Sequence, residues 1–274
     1  KVPFWLTPVK HYVGAAWYQK EIEIPRKWDS KRIVLSLERC HWGTQVWIDG
    51  RSVGSRDSLS TPHEYDLGTL GRGEHELTIR VDNTVKIGVG INAHSVSDHT
   101  QSNWNGIVGT IELKAYDPVW IENVQVYPDL ASRTAKVHIE MAGTNGEKAA
   151  GALTLRARSF NATHRHKVPE KQVDFSIDEK DRIIEVDYEM GDDVLLWDEF
   201  TPNLYRLTAS IKGDGFESEK TVSFGMRTFG TEGTQFTLNG RKTFLRGTLE
   251  CSIFPLTGYT PTNVKGWRKV LRAA

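Results

Sequence analysis

The chain has 274 residues, 38% of them hydrophobic, so it is long enough for two ordinary domains with substantial cores. Its 35 basic residues balance 35 acidic ones, which leaves no net charge to attract nucleic acid or an anionic membrane surface. No apolar run approaches the length that spans a bilayer. The composition therefore predicts neither a nucleic-acid partner nor a membrane partner.

Two local features bear on the cellular compartment. The N-terminal residues lack a charged segment followed by a continuous apolar run, so we expect no signal peptide in this chain. Cys40 and Cys251 are too few for a disulfide framework, and they lie in segments assigned below to different domains. Each is predicted to be a free thiol, and the compartment stays open.

Short segments of alternating polarity fill the first 116 residues and predict β-strands. Tyr18 and Ile22 share one side of a strand that Pro25 ends, and Asp49-Gly50 is a strong signal for the turn of a tight hairpin. Further strands are predicted over residues 33–37, 77–81 and 111–115. Strands at this spacing favour a sandwich or jelly roll. Most of the chain's tryptophans and phenylalanines are expected in sandwich cores.

A long segment, residues 87–106, interrupts this pattern and has little periodicity. Long connections in compact domains are commonly functional. Gly88 and Gly90 do not predict a phosphate-binding loop, since no helix follows to direct its N-terminus at a phosphate. The segment is therefore a candidate functional loop.

A second all-β domain is predicted after Asp117-Pro118, because Pro118 breaks one strand and another begins at Ile121. Alternating segments then follow at residues 121–127, 135–141, 153–157, 184–188, 204–210 and 221–224. About seven strands in roughly a hundred residues is the count of an immunoglobulin-like sandwich.

The last segment changes character. Asn239-Gly240, with apolar neighbours on both sides, predicts a second tight hairpin. Residues 262–272 form the one convincing helical pattern, with Trp267 and Leu271 on one face. A strand, a loop and a first helix are how a β/α barrel begins.

Six sequence motifs carry a resemblance to a known family. In chain order they are Gly14–Pro25, Val46–Gly54, Asn105–Leu113, Trp197–Leu207, Phe224–Arg227 and the hairpin at Asn239-Gly240. They resemble, in the same order, motifs of glycoside hydrolase family 2, which contains β-galactosidases, β-glucuronidases and β-mannosidases. The resemblance covers nearly the whole chain.

The resemblance implies an all-β architecture followed by the start of a barrel. Residues 1–116 are expected to form a jelly-roll, galactose-binding-like domain, and residues 117–230 an immunoglobulin-like β-sandwich. Residues 231–274 are expected to begin a truncated TIM-barrel catalytic domain.

The resemblance also implies the function. The full-length protein is expected to be a retaining β-glycosidase, whose two catalytic glutamates lie on later barrel strands, beyond Ala274. No catalytic residue is therefore assigned in this chain, which is expected to be inactive alone. The alternative is a stand-alone carbohydrate-binding or adhesion module of two sandwiches. Which sugar is bound stays open.

Three residues are candidates for substrate binding. Asp98 and Asn103 lie just before Trp104, where family members place an acidic or amide side chain that reaches the barrel mouth. Glu250 follows the presumed first barrel strand, at the end where barrel enzymes keep their sites. Polar loop residues also bond their own turns, and Glu250 could be an N-cap. Cys251-Ser252 departs from the family's His-Glu pair, so the sugar is not determined.

Two remaining predictions concern metals and assembly. The histidines and Asp98 in the long loop, and His164 with His166, lack a further ligand at a confirming spacing, so neither a metal site nor a cofactor is expected. A lone barrel strand and helix leave apolar side chains uncovered, including Phe244 and Leu271. A homo-oligomer in which a second copy covers them is favoured over packing on the immunoglobulin-like domain and over a poorly ordered tail.

Overall fold

The computed structural model describes residues 12–90, 92–93, 96, 104–143, 148–178, 180–249, 254, 257 and 260–273. The chain divides into two compact units. The first comprises Lys1–Ala115 with Arg246–Ala274, and the second comprises Tyr116–Leu245.

The first seven strands form the two sheets of a β-sandwich. They are β1 (Ala15–Ile24), β2 (Arg32–His41), β3 (Gly43–Ile48), β4 (Arg51–Arg56), β5 (His63–Thr69), β6 (Gly73–Asp82) and β7 (Gly106–Tyr116), with a 3-10 turn at Arg26–Trp28. One sheet has the order β1-β6-β3-β4 and the other β5-β2-β7. Alternate residues of β3 and β6, such as Val46 and Ile79, are buried between the sheets. The predicted jelly-roll-like sandwich and the hairpin at Asp49-Gly50 are confirmed.

Strand β5 was not predicted from the sequence. The first inward-facing residue of this strand is a histidine, which does not look like a core residue. His63, Tyr65 and Leu67 point into the core, and acidic residues alternate with them. His63 is fully buried, and its Nδ1 atom lies 2.6 Å from Thr44 Oγ1. Its Nε2 atom lies 2.8 Å from the carbonyl oxygen of Ser58, which can only accept.

These contacts fix the proton positions in the core. The Nε2–H of His63 donates to Ser58, so Nδ1 accepts from the Thr44 hydroxyl. The Thr44 oxygen in turn accepts from the Tyr65 hydroxyl at 2.5 Å. Protonating His63 would reverse the Thr44 bond and leave one hydrogen without its acceptor. Burial likewise lowers the pKa of His63.

Stability is therefore expected to fall as pH decreases through about 6.5, the ordinary pKa of histidine. Below it the unfolded chain binds a proton that folded His63 binds only at lower pH, and this favours unfolding. The measurement is the free energy of unfolding in urea at about pH 7.5 and pH 5.5. A His63→Asn variant, which keeps an acceptor but does not titrate, is expected to lose part of this pH dependence. Equal pH dependence in both proteins would contradict the assignment.

The second unit is built on a seven-stranded sandwich. Its strands are β8 (Trp120–Asp129), β9 (Thr134–Ala142), β10 (Ala149–Phe160), β11 (Lys171–Ile177), β12 (Ile183–Glu189), β13 (Leu204–Gly213) and β14 (Phe216–Phe224). One sheet has the order β12-β9-β8 and the other β11-β10-β13-β14, with antiparallel neighbours. The core between them includes Ile139, Leu153 and Leu207, all fully buried. The predicted immunoglobulin-like architecture is confirmed.

A small antiparallel sheet follows the sandwich. It consists of β15 (Phe229–Glu232), β16 (Gln235–Leu238) and β17 (Arg241–Thr243) in that order. Asn239 and Gly240, with φ angles of 51° and 76°, form the turn between β16 and β17. Both angles are positive, as a tight hairpin of this kind requires, so the predicted hairpin is confirmed.

The predicted helix is α1 (Val264–Ala273), and its described contacts are local. Asn263 Oδ1 accepts from the Gly266 amide at 2.8 Å, which caps the N-terminus. The Trp267 ring meets Phe254 edge-on, and its Nε1–H donates to Pro261 O at 2.8 Å. Leu271 is 68% exposed and Phe244 is 84% exposed. Coverage of these side chains by a second copy stays a prediction.

Cys40 is a free, buried thiol, as predicted, and burial raises its pKa to about 12. Cys251 lies outside the described residues. In the part of the chain that the structure describes, no helix combines the length and the apolar character that crossing a bilayer requires.

Candidate carbohydrate-contact site

The three predicted substrate-binding residues, Asp98, Asn103 and Glu250, lie outside the described residues. Their roles stay predictions. The structure does describe the two ends of the loop that carries Asp98 and Asn103. This loop leaves β6 after Asp82 and enters β7 at Gly106.

The side chain of Asn83 joins the two ends of this loop. Its amide nitrogen donates to Asn105 Oδ1 at 2.8 Å and to the Tyr12 carbonyl oxygen at 2.7 Å. Its Oδ1 atom accepts from the Gly14 amide at 2.8 Å. Both amide hydrogens and the carbonyl oxygen are thus used. We call this group, Tyr12, Gly14, His41, Asn83 and Asn105, the loop neck.

His41 completes the loop neck from the end of β2. It is 6% exposed, and its Nδ1 atom lies 3.2 Å from Asn105 Oδ1. That oxygen can only accept, so His41 carries a proton on Nδ1. In the described part of the chain its Nε2 atom is buried and has no hydrogen-bond partner. The ring centroid lies 5.4 Å from that of Trp104, the residue after the predicted Asn103.

Asp82, beside the loop neck, is held as a carboxylate. One oxygen accepts from the Thr84 hydroxyl at 2.6 Å and from the Thr84 amide at 2.9 Å. The other pairs with Arg80 at 2.6 Å. The hydrogen bonds from Thr84 are the main reason why the pKa of Asp82 is below its usual range. Both oxygens of this carboxylate are therefore already bonded, and Asp82 stabilises the turn that starts the loop.

The polar groups of the loop neck mainly bind one another. The donors and the acceptor of Asn83 are all used within it, and His41 Nε2 is a buried nitrogen without a hydrogen-bond partner among the described residues. Trp104 adds an apolar ring face beside His41. Among the described residues, no group of three or more His, Cys, Asp and Glu side chains could hold a metal ion.

Sequence reasoning did not single out Asn83 or His41. The available signal for Asn83 was its position at the end of a predicted strand, before the long loop. His41 gave no comparable signal, because its partner Asn105 is 64 residues away in sequence.

The chain carries two successive β-sandwiches, and comparison with known families identifies both. The model of the family 2 glycosyl hydrolase sugar-binding domain matches residues 1–116. The model named glycosyl hydrolases family 2 matches residues 119–227. The chain therefore belongs to glycosyl hydrolases family 2.

Its relatives are longer glycosidases. The β-galactosidase of Thermoanaerobacterium thermosulfurigenes is 26% identical over 267 residues, which cover 94% of this chain and 36% of that protein. The β-galactosidase large subunit of Latilactobacillus sakei is 23% identical over 239 residues, covering 85% and 35% respectively. The chain thus spans about a third of the length of these relatives.

A solved structure shares the fold. The crystal structure of Bacteroides uniformis β-glucuronidase matches with a TM-score of 0.69 and 20% identity. The match covers 86% of this chain and 29% of that one. At this level of identity the likeness concerns the fold.

Proposed function

We propose that this chain is the non-catalytic N-terminal region of a family 2 glycoside hydrolase that hydrolyses O-glycosidic bonds, with a β-galactosidase-type parent. The observation that carries the proposal is the order of the two family matches, sugar-binding domain first, across residues 1–116 and 119–227. The relatives that share this region include β-galactosidases.

Catalysis is assigned to residues outside this chain. A retaining glycosidase uses two carboxylic acids about 5 to 5.5 Å apart, one as nucleophile and one as acid and base. We assign both to glutamates of a barrel domain that residues 231–274 begin. The capped helix α1 supports this assignment, because a helix follows each strand in such a barrel.

The loop neck supports a substrate contact from the first domain. Asn83 and Asn105 tie the two ends of the loop together, which limits the positions that the loop between them can take. We assign Asp98 and Asn103 in that loop, and Glu250 in the last segment, to hydrogen bonds with sugar hydroxyls.

The test is whether hydrolysis requires residues after Ala274. The purified chain is expected to release no aryl group from aryl β-galactosides or β-glucuronides, while the chain extended through its reading frame hydrolyses one of them. The matched control is the extended protein with the two proposed barrel glutamates replaced by glutamine. Turnover by the chain alone, above that of a mock purification, would contradict the assignment of catalysis to the barrel.

The sequence that follows Ala274 in the reading frame also distinguishes the proposed glycosidase from the alternative, a stand-alone binding or adhesion module. If the parent is a glycosidase, the sequence after Ala274 contains an Asn-Glu dipeptide on a barrel strand and a second glutamate later in the chain. A stop codon or another sandwich favours the binding module.

A further inference from the structure

The outer face of the sheet β1-β6-β3-β4 carries two stacked tryptophans. Trp17 on β1 and Trp47 on β3 flank β6, where their register partners are Arg80 and Thr78. Their ring centroids are 5.3 Å apart, and the ring planes differ by 30°. Trp17 is 61% exposed, and Trp47 is half-buried. We call this pair the tryptophan shelf.

Packing within the sandwich does not account for the tryptophan shelf. The core uses the opposite face of the sheet, where Val46, Ile48 and Ile79 are buried. An indole left in water forgoes the stabilisation that burial would give. One exposed aromatic ring is ordinary, but two stacked on one β-face make an apolar surface suited to a ligand.

Polar side chains border the shelf on the same face. Gln19 is exposed, and its amide nitrogen donates to Thr78 Oγ1 at 3.2 Å. Gln45 is the register partner of Arg80 on the other side of β6. Side-chain amides provide both donors and acceptors. A pyranose ring has the matching form, with an apolar C–H face and a rim of hydroxyl groups.

The charges on this face disfavour an anionic ligand. Farther along the strands, Glu21 lies opposite Glu76 and Glu23 lies opposite Glu74, and all four are exposed. Arg80, next to the shelf, is already paired with Asp82. The resulting negative field repels uronic-acid polymers, so the matching ligand is neutral.

We propose that the tryptophan shelf binds a neutral glycan chain. A pyranose ring stacks on the exposed Trp17 ring, which Trp47 holds in place by stacking against it, and Gln19 and Gln45 hydrogen-bond the hydroxyl groups of the glycan. The choice of a sugar as ligand rests on the proposed function, whereas the location of the site rests on the geometry of the sheet.

The experiment is affinity electrophoresis of the purified chain in gels containing soluble β-glucan, galactan, galactomannan or, as the anionic comparison, polygalacturonate. At least one neutral polysaccharide is expected to retard the chain, and polygalacturonate is not. Trp17→Ala and Trp47→Ala are expected to weaken this binding by about ten-fold or more, and Trp17→Tyr by less. Tyr127→Ala is the matched control, since Tyr127 is a half-exposed aromatic residue in the second unit.

Binding to none of the neutral polysaccharides overturns the proposal. So does unchanged binding by a Trp17→Ala variant that melts like the wild type. If the alanine variants do not fold, oligosaccharide titration of the wild type's tryptophan fluorescence decides, and no change overturns the proposal. A dimer that Trp17→Ala converts to a monomer would make the shelf a protein interface and also overturn it. If only the shelf proposal is wrong, the chain binds no neutral glycan but the extended protein still hydrolyses an aryl glycoside. If the proposed function is wrong, the extended protein shows no hydrolysis.

Discussion

Replacing Tyr205 with alanine is expected to lower the free energy of unfolding by about 4 kcal/mol, through loss of a large buried ring. Tyr205 is fully buried between the sheets of the second unit and stacks on Phe224 at 5.6 Å. Its hydroxyl oxygen accepts from the Leu195 amide at 2.9 Å. Its proton is then directed at His166 Nδ1, 2.6 Å away. The ring therefore fills the core and also satisfies two polar groups outside its strand.

A Tyr205→Phe variant separates these two contributions. It keeps the ring but leaves the Leu195 amide and His166 without their partner, at an expected cost of about 1 to 2 kcal/mol. The measurement is urea unfolding followed by circular dichroism. Tyr127→Ala is the control, since Tyr127 is 50% exposed on the same sandwich and is expected to cost under about 1 kcal/mol. Equal losses for Tyr205→Ala and Tyr127→Ala would contradict this account of the core.

Replacing Asn83 with alanine is expected to open the base of the long loop. The change removes three hydrogen bonds, to Gly14, Tyr12 and Asn105. The expected loss in free energy of unfolding is about 2 kcal/mol. Trypsin cleavage after Lys86, just inside the loop, is expected to become faster, because local opening exposes the backbone to the protease.

An Asn83→Asp variant is the matched control that isolates the contribution of the two N–H donors. It keeps the acceptor for the Gly14 amide but loses both hydrogens given to Tyr12 and Asn105. Asn105→Ala is expected to cost less when added to Asn83→Ala than it does alone, since the two side chains share one hydrogen bond, whereas the bond from His41 to Asn105 is lost only in the second change. If the cleavage rate after Lys86 is the same in wild type and Asn83→Ala, the loop neck does not restrain the loop.

The sequence predicts most of this fold because its strands alternate apolar and polar residues. Strands β1, β6 and β9 show this period clearly, and Asn239-Gly240 specifies its turn through positive φ angles. Strands β5 and β11 were missed. The inward face of β5 begins with His63, whose burial depends on a threonine 19 residues away. The alternation of polar and apolar residues within β5 cannot reveal such a distant hydrogen-bond partner.

The candidate site was less predictable for the same reason. Most bonds of the loop neck join residues 64 to 71 positions apart, such as His41 with Asn105 and Asn83 with Tyr12, and the bond between Asn83 and Asn105 spans 22. The tryptophan shelf was also missed, because aromatic residues were expected in cores. The alternation of β1 places Tyr18 toward one face and Trp17 toward the other, but the pairing of Trp17 with Trp47 follows only from strand order.

The most direct test of the central claim is the stereochemistry of hydrolysis by the chain extended through its reading frame. Proton NMR of the reaction on an aryl β-galactoside, begun within the first minute, identifies which anomer of the free sugar forms first. A retaining β-glycosidase gives the β-anomer first, with the α-anomer appearing later by mutarotation. We predict the β-anomer, and no hydrolysis in a parallel sample of the chain ending at Ala274. Initial release of the α-anomer, or no hydrolysis of any aryl β-glycoside by the extended protein, would contradict the account.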